Sequence, residues 1–411
     1  MIDLLYARQH PETVIALSEK KDPAFPIQRL LTLDSQRRTM NLQIEQLRNK
    51  KNELAKEAKS GVTDALRQES QQVSAQLKEV EQQFATLDAE FQELYLCCPN
   101  LLQEGIPAGG KEANQAVKTV GTKPTFSFTP KNHVELNNQL GWFDFEAASR
   151  MTAGGFVFYK KDAVRLIYAL TQMMLANNNK HGYEPMIPPY LVNEESLTVA
   201  SNFPKFKEQV YSIPADQLYL TPTAEVNLTN LYRDSILSAE QLPLRMTAWT
   251  SCFRREAGSY GAHERGLIRI HQFEKVELYS IVKPEDSNQE LDRMVACAEN
   301  LLQQLGLHYR ISLLAAQDCS FASARTYDIE VWMPGQGAFY EVSSCSNCTD
   351  FQARRGQIRF KRGAHEKNEL VHTLNASSLA LPRLMVALME TYQQADGTVA
   401  LPDVLRPFML W

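Results

Sequence analysis

Between residues 27 and 98 apolar side chains recur in steps of three and four. Leu33, Met40, Ile44, Leu47 and Leu54 form one series; Leu66, Val73, Leu77, Val80, Phe84, Leu87, Phe91 and Leu94 form a second. This is a heptad seam, a period that a helix satisfies and a strand does not. Lys59-Ser60-Gly61-Val62-Thr63-Asp64 interrupts it. Gly61 suits the end of one helix, and Thr63 or Asp64 suits the cap of the next. So short a connection makes the two helices antiparallel. The stretch is predicted as a coiled-coil hairpin on the order of 45 Å long, at 1.5 Å per residue. Such an arm is too thin for a globular core and projects into solvent.

The charges of the arm are segregated. The first helix carries Arg29, Arg37, Arg38, Arg48, Lys50, Lys51, Lys56 and Lys59; the second carries Asp64, Glu69, Glu79, Glu81, Asp88, Glu90 and Glu93. Pairing between the helices and solvated faces explain part of this. Contact with something long and anionic is the other reading.

The chain has 411 residues, a net charge of −5 and 44% hydrophobic residues, enough for two or three ordinary globular domains. No run of about 20 apolar residues occurs, so no membrane span is expected. The opening MIDLLYARQHPETV has no basic flank leading into an apolar segment, so no secretory signal is read and a cytoplasmic location is expected. The seven cysteines are scattered and read as reduced thiols. Cys345 and Cys348 form a Cys-x-x-Cys pair, but no second Cys or His pair stands at zinc-site spacing, and no βαβ pattern precedes them. The expectation is two packed thiols and no zinc.

Cys98-Pro99-Asn100 ends the hairpin, and a Pro/Gly-containing linker follows from Ile106 to Gly121. This predicts an N-terminal domain over residues 1–105 and a second domain over 106–411. Residues 164–177 read as an amphipathic helix. Residues 326–333, the turn Pro334-Gly-Gln-Gly337 and residues 338–343 read as a β-hairpin. Strands joined by hairpins imply an antiparallel sheet, so the class is α+β. Neither a dinucleotide glycine fingerprint nor a phosphate-binding Gly-Lys-Thr loop is present.

Three clusters carry candidate chemistry. In Phe253-Arg-Arg-Glu256, Arg254 and Glu256 are two apart and share a face; a guanidinium there can hold a phosphate through two parallel hydrogen bonds. In Glu341-Val-Ser-Ser344, a carboxylate and hydroxyls offer hard oxygen ligands suited to Mg²⁺. Strict alternation pairs Glu341 with Ser343 and sends Ser344 to the other face unless a bulge intervenes. Residues 373–383, TLNASSLALPR, read as opening a helix that runs to about Tyr392, with Ser377 or Ser378 as cap, Pro382 in the first turn and Arg383 near its N-terminus. Taken singly, each cluster also fits a buried pair, a polar strand face or a solvated arginine.

Their order is more telling. Gly182-Tyr-Glu-Pro-Met-Ile-Pro-Pro-Tyr190, then the Phe-Arg-x-Glu segment, then Arg383 resemble motifs 1, 2 and 3 of class II aminoacyl-tRNA synthetases. The finer resemblance is to the bacterial type of seryl-tRNA synthetase and covers essentially the whole chain. It rests on Leu220-Thr-Pro-Thr-Ala-Glu-Val226, Phe253-Arg-Arg-Glu-Ala-Gly-Ser259, Arg265-Gly-Leu-Ile-Arg-Ile-His-Gln-Phe273, the stretch from Glu341 to Arg355, and the heptad hairpin.

The resemblance implies a class II core, an antiparallel sheet flanked by helices, behind a tRNA-binding arm. It implies activation of L-serine by ATP and transfer to tRNA(Ser), with tRNA(Sec) as a further acceptor. Thr223, Ala224, Glu225, Glu277 and Ser377 match serine-binding positions. Arg254, Arg255, Glu256, Arg269, Phe273, Glu341, Val342, Ser343, Ser344 and Arg383 match the ATP site. Arg254, Glu341 and Arg383 are the implied catalytic residues, and Glu341 and Ser344 the Mg²⁺ ligands. Arg37, Arg38, Arg48, Lys50 and Lys51 become candidates for tRNA phosphate contact, and motif 1 implies a homodimer. With so little chain beyond motif 3, no anticodon-reading domain is expected.

The chain departs from the family pattern at Ala376, Ser378 and Pro382, where glycines are common, and at Ala262, where an arginine is often found. Two rival readings are a paralogue that loads a carrier protein and an inactive coiled-coil scaffold. The intact heptads argue against the first, and the presence of Arg254, Glu341 and Arg383 against the second.

Overall fold

The computed structural model describes residues 1–257 and 266–409, apart from the Ser60 side chain. The chain packs as two units, Met1–Pro99 and Asn100–Trp411.

In the first unit two short helices, Leu4–Gln9 and Pro11–Lys21, precede α1 (Ile27–Glu57) and α2 (Asp64–Leu96). Gly61 lies between the long helices at φ 144°, a conformation that side chains resist. Thr63 caps α2, its hydroxyl accepting the Leu66 N–H at 3.2 Å. The heptad positions Leu33, Ile44, Leu54, Val73, Leu77 and Phe91 are buried. Ion pairs cross between the helices from Arg29 to Glu90, Arg48 to Glu81 and Lys50 to Glu69. Arg37 is held more firmly: its Nε donates to Asp88 at 2.6 Å, and its guanidinium lies 4.0 Å from the centre of the Phe91 ring. Part of the charge segregation is therefore internal pairing.

The second unit is built on an eight-stranded sheet. Its strands are β1 (Gln115–Val120), β2 (Glu184–Met186), β3 (Leu244–Phe253) and β4 (Gln272–Val282). β5 (Tyr309–Leu313), β6 (Arg325–Met333), β7 (Ala338–Thr349) and β8 (His372–Ala380) complete it. The spatial order is β1-β5-β6-β7-β8-β4-β3-β2, antiparallel except where β2 meets β3. Helices α3 (His133–Leu140), α4 (Asp162–Lys180), α5 (Ala224–Asn230), α6 (Ser287–Gln304), α7 (Phe351–Gly356) and α8 (Leu381–Thr391) surround it.

Alternation along β4 decides where the site lies. Val276 and Leu278 join a core with Leu170 and Met173 of α4, Met294 and Leu301 of α6, and Leu384 and Leu388 of α8. Phe273, Lys275 and Glu277 face the other way and line a cavity. One face of the sheet is thus sealed by helices and the other carries polar groups.

The structure corrects the reading of residues 373–383. His372–Ala380 is a strand, and the helix begins only at Leu381, with Ala380 as a cap that makes no side-chain bond. β8 lies between β7 and β4, and Thr373, Leu374, Ala376, Ser378 and Leu379 are all buried. A strand covered on both faces loses its two-residue alternation and resembles a helix approach. Pro382 does occupy the first helical turn.

Candidate active site

The cavity holds about 510 Å³, the size of a small-molecule site. Its walls come from β4, β7 and β8, from the starts of α5 and α8, from Arg254 and Glu256 just after β3, and from the segments at residues 200–206, 267–270 and 320–322.

One end is a knot of charges. Thr223 caps α5, and its hydroxyl donates to Glu277 Oε2 at 2.8 Å while accepting from Lys275 Nζ at 2.7 Å. Lys275 also pairs directly with Glu277, and both are buried. Glu225, two residues after Thr223, accepts from Gln352 Nε2 at 2.6 Å and Asn375 Nδ2 at 3.0 Å. Burial, and then the neighbouring charge of Glu277, push the Glu225 carboxyl up to about 7. Three short polar side chains, Thr223, Ser377 and Asn375, line this end with the two carboxylates.

The other end is cationic. Arg254 follows directly on β3; its Nε donates to the Pro222 carbonyl at 3.2 Å, and its guanidinium lies 5.3 Å from the Phe273 ring centre. Arg269 pairs with Glu256 at 2.9 Å. Glu256 adopts the left-handed backbone conformation, at φ 49°. Arg383, in the first turn of α8, donates from Nε to the Ile268 carbonyl at 3.2 Å and from Nη1 to the Glu341 carbonyl at 2.9 Å. The N-terminus of α8 adds its own preference for an anion.

A third corner is acidic. Opposite β7, the register shifts so that Glu341 faces Glu330 while Ser343 faces Ile329. Val342 is the extra residue of a bulge. The bulge brings Glu341 and Ser344 to the cavity together and buries Ser343, whose hydroxyl donates to the Ser377 carbonyl at 2.5 Å. Asp328 of β6 pairs in register with Ser344 and is hydrogen-bonded to its hydroxyl. Burial, then the nearby Glu341 charge, raise the Asp328 carboxyl well above the usual carboxylate range. Among the described residues its Oδ1 has no hydrogen-bond partner. Two carboxylates and a hydroxyl, one oxygen orphaned, suit a hard divalent cation.

The cavity brings together Thr223, Glu225, Arg254, Glu256, Arg269, Phe273, Glu277, Glu341, Ser344, Ser377 and Arg383. It does not bring in Ala224, buried at the start of α5, or Val342, buried in the core. Arg255 turns the opposite way from Arg254 and lies over Tyr211, beside a separate surface depression. Ala262 lies outside the described residues. Sequence reasoning missed Asp328, Lys275, Gln352 and Asn375. Lys275 was readable, two residues before Glu277 on the same strand face; Asp328 and Gln352 join only through the sheet. Cys345 is buried with its thiol pushed up to about 12 by that burial, and Cys348 accepts from Asn375. Among the described residues no group of three or more His, Cys, Asp or Glu side chains is arranged to hold a metal.

Residues 207–392 match the tRNA synthetase class II core domain of the G, H, P, S and T group. The sheet and its cavity are therefore the core of a class II aminoacyl-tRNA synthetase. Residues 1–102 match the seryl-tRNA synthetase N-terminal domain. The serine–tRNA ligase of Syntrophobacter fumaroxidans is 43% identical over 420 aligned positions, covering 100% of this chain and 98% of that protein. The seryl-tRNA synthetase of Pyrococcus horikoshii, solved in complex with ATP, superposes with a TM-score of 0.93 at 32% identity, covering 100% of this chain and 98% of that one. The cytoplasmic serine–tRNA ligase of Naegleria fowleri, solved with AMP, gives 0.84 at 25% identity, over 98% and 95% of the two chains. The chain belongs to the seryl-tRNA synthetase family. No helix among the described residues is long and apolar enough to cross a membrane.

Proposed function

We propose that this enzyme activates L-serine with ATP and transfers it to tRNA(Ser), with serine held at the Thr223–Glu277 end of the cavity and the triphosphate along Arg254, Arg269 and Arg383. The observation that carries this reading is the polarity of the cavity: buried carboxylates and small hydroxyls at one end, guanidinium groups at the other. A small amino acid presents an ammonium and a hydroxyl to the first, and a nucleotide presents its phosphates to the second.

Serine's carboxylate is ionised at neutral pH, so its attack on the α-phosphate needs no general base. It needs alignment and neutralised phosphate charge. Arg254 supplies that at the α-phosphate and Arg383 towards the γ-phosphate. Glu256 accepts from the adenine amino group and Phe273 stacks on the ring. The new bond joins carboxylate oxygen to phosphorus, and pyrophosphate leaves. A hydroxyl of the 3′-terminal ribose of the tRNA then attacks the seryl carbonyl, and AMP leaves. Glu225 and Glu277 face the ammonium and hydroxyl of serine. Alanine, which keeps the ammonium, would leave only the group facing the hydroxyl unpaired, and bulkier residues are rejected by size.

Glu341, Ser344 and Asp328 would hold Mg²⁺, which when bound supplies positive charge to the phosphates. On the arm, Arg38, Arg48, Lys50 and Lys51 are exposed and are assigned to tRNA phosphates; Arg37 is engaged within the hairpin. Ile187, in the motif 1 stretch, is 89% exposed and Leu191 is 42% exposed, which supports a homodimer through that surface. The cytoplasm is the location assigned.

Amino-acid-dependent ATP–pyrophosphate exchange, run with each amino acid in turn, tests the reading. Exchange with serine alone is expected. Exchange with another amino acid would overturn the substrate, and its complete absence would overturn the activity.

A further inference from the structure

His133 and Glu390 are buried together outside the cavity. Glu390, in the last turn of α8, is 0% exposed and is paired with His133. Both of its carboxyl oxygens accept hydrogen bonds. Oε1 accepts from the His133 main-chain N–H at 3.0 Å, from His133 Nδ1 at 3.1 Å and from Gln336 Nε2 at 3.0 Å; Oε2 accepts from the Gly335 N–H at 2.9 Å.

The other ring nitrogen of His133 is equally committed. The Leu267 N–H donates to Nε2 at 3.1 Å. A backbone N–H can only donate, so Nε2 is the acceptor and Nδ1 carries the ring proton that goes to Glu390. The ring therefore links α8 to the segment at residues 266–268. Gly266, at φ 72°, packs against the same nitrogen, and a Cβ there would overlap it.

That segment serves the cavity twice. Leu267 and Ile268 line it, and the Ile268 carbonyl accepts Arg383 Nε at 3.2 Å. Arg269 is the next residue, facing Glu256. A ring fixed at both nitrogens thus sets the height of a backbone that carries one arginine and holds a second.

We infer that His133 is a positioning residue for nucleotide binding: its hydrogen bond to the Leu267 amide fixes residues 266–269, and with them Arg269 and the carbonyl that aligns Arg383. His133 touches no substrate. The inference rests on Arg269 and Arg383 being the triphosphate ligands.

The test uses two side chains that each keep one half of the ring's bonding. In His133→Gln the amide oxygen reaches the position of Nε2 and can accept from Leu267. In His133→Asn the amide nitrogen keeps the bond to Glu390 but the Leu267 amide loses its acceptor. Both variants and Arg383→Ala are compared in serine-dependent ATP–pyrophosphate exchange, with thermal unfolding midpoints in parallel. Loss of one buried hydrogen bond predicts a KM for ATP raised about 10-fold in His133→Asn. His133→Gln is expected within about threefold of the parent on the same scale, with the KM for serine within about twofold in both. Equal defects in the two variants, a parallel rise in both KM values, or a change confined to the unfolding midpoint would overturn the inference. Unchanged exchange in Arg383→Ala would instead remove the underlying assignment of the arginines, whatever the His133 variants do.

Discussion

Arg383 Nη1 donates to the main-chain carbonyl of Glu341 at 2.9 Å, while the Glu341 carboxylate stands 3.6 Å away. The cation of the last helix is anchored by backbone oxygens on both sides, from Ile268 and Glu341. At that distance the two side chains form a loose ion pair, which an anion bound at Arg383 and a cation bound at Glu341 would replace. Arg383→Lys keeps the charge and loses the planar fork that makes both anchors. The expected result is a fall of about 10²-fold in ATP–pyrophosphate exchange, with the thermal midpoint nearly unchanged. Exchange within threefold of the parent would show that charge alone suffices.

Glu225 introduces a pH dependence. Its carboxyl titrates at about 7 in the folded protein because it is buried beside Glu277. The folded chain thus keeps a proton that the unfolded chain has already lost. This favours folding fully below the ordinary carboxylate range, and the advantage is lost as pH rises through 7. For substrate the sign reverses, because serine's ammonium needs the carboxylate. The kcat/KM for serine should climb about tenfold per pH unit below 7 and level off above it. In Glu225→Gln that limb should vanish and the plateau should fall. An unchanged limb in the variant would assign the titration to another group.

Asp328, with its unpartnered oxygen beside Glu341 and Ser344, predicts a metal phenotype. Asp328→Asn should raise the Mg²⁺ concentration for half-maximal exchange by about 10-fold. Chelation with EDTA should abolish exchange in the parent, and added Mg²⁺ should restore it. A zinc-selective chelator should leave it untouched, as should Cys348→Ala. Tightly bound, stoichiometric zinc in metal analysis would contradict this.

The arm predicts a division between binding and stability. Arg48→Ala and Lys51→Ala should raise the KM for tRNA and weaken its dependence on salt, leaving serine-dependent exchange intact. Arg37→Ala should act mainly on the hairpin, destabilising it by about 1 kcal/mol through loss of the Phe91 and Asp88 contacts. Aminoacylation kinetics and helix melting followed by circular dichroism separate the two effects.

Ile187, almost fully exposed in the motif 1 stretch, predicts an interface. Ile187→Asp would place a charge in that apolar contact and should shift the protein from dimer to monomer in sedimentation. A parent that sediments as a monomer at micromolar concentration would remove the dimer assignment.

Much of this molecule is written locally. The heptads of residues 27–98 determine the arm, because a 3.5-residue period leaves a helix only one face to bury, and Gly61 and Thr63 mark its turn. The hairpin around Pro334–Gly337 is likewise local: alternation on both sides of a four-residue turn sets the pairing of β6 with β7. Arg254 and Glu256 reach the cavity from the residues that follow β3, with Arg255 turned away between them and Glu256 in a left-handed conformation, so they stand beyond the strand whose period the spacing suggested.

Other features were decided only by what lies beside them in the sheet. Residues 372–380 form a strand because β7 and β4 pair with them on both sides, a fact that no local pattern carries when both faces are buried. Glu341 meets Ser344 only because Val342 bulges against β6, which depends on register with a second strand. Asp328, Gln352 and Asn375 reach the site from strands and a helix far apart in sequence, and the His133–Glu390 pair joins segments separated by more than half the chain. Periodicity specifies which face of an element is apolar; it does not specify which other element that face or its backbone will meet, and at this site the chemistry depends on those meetings.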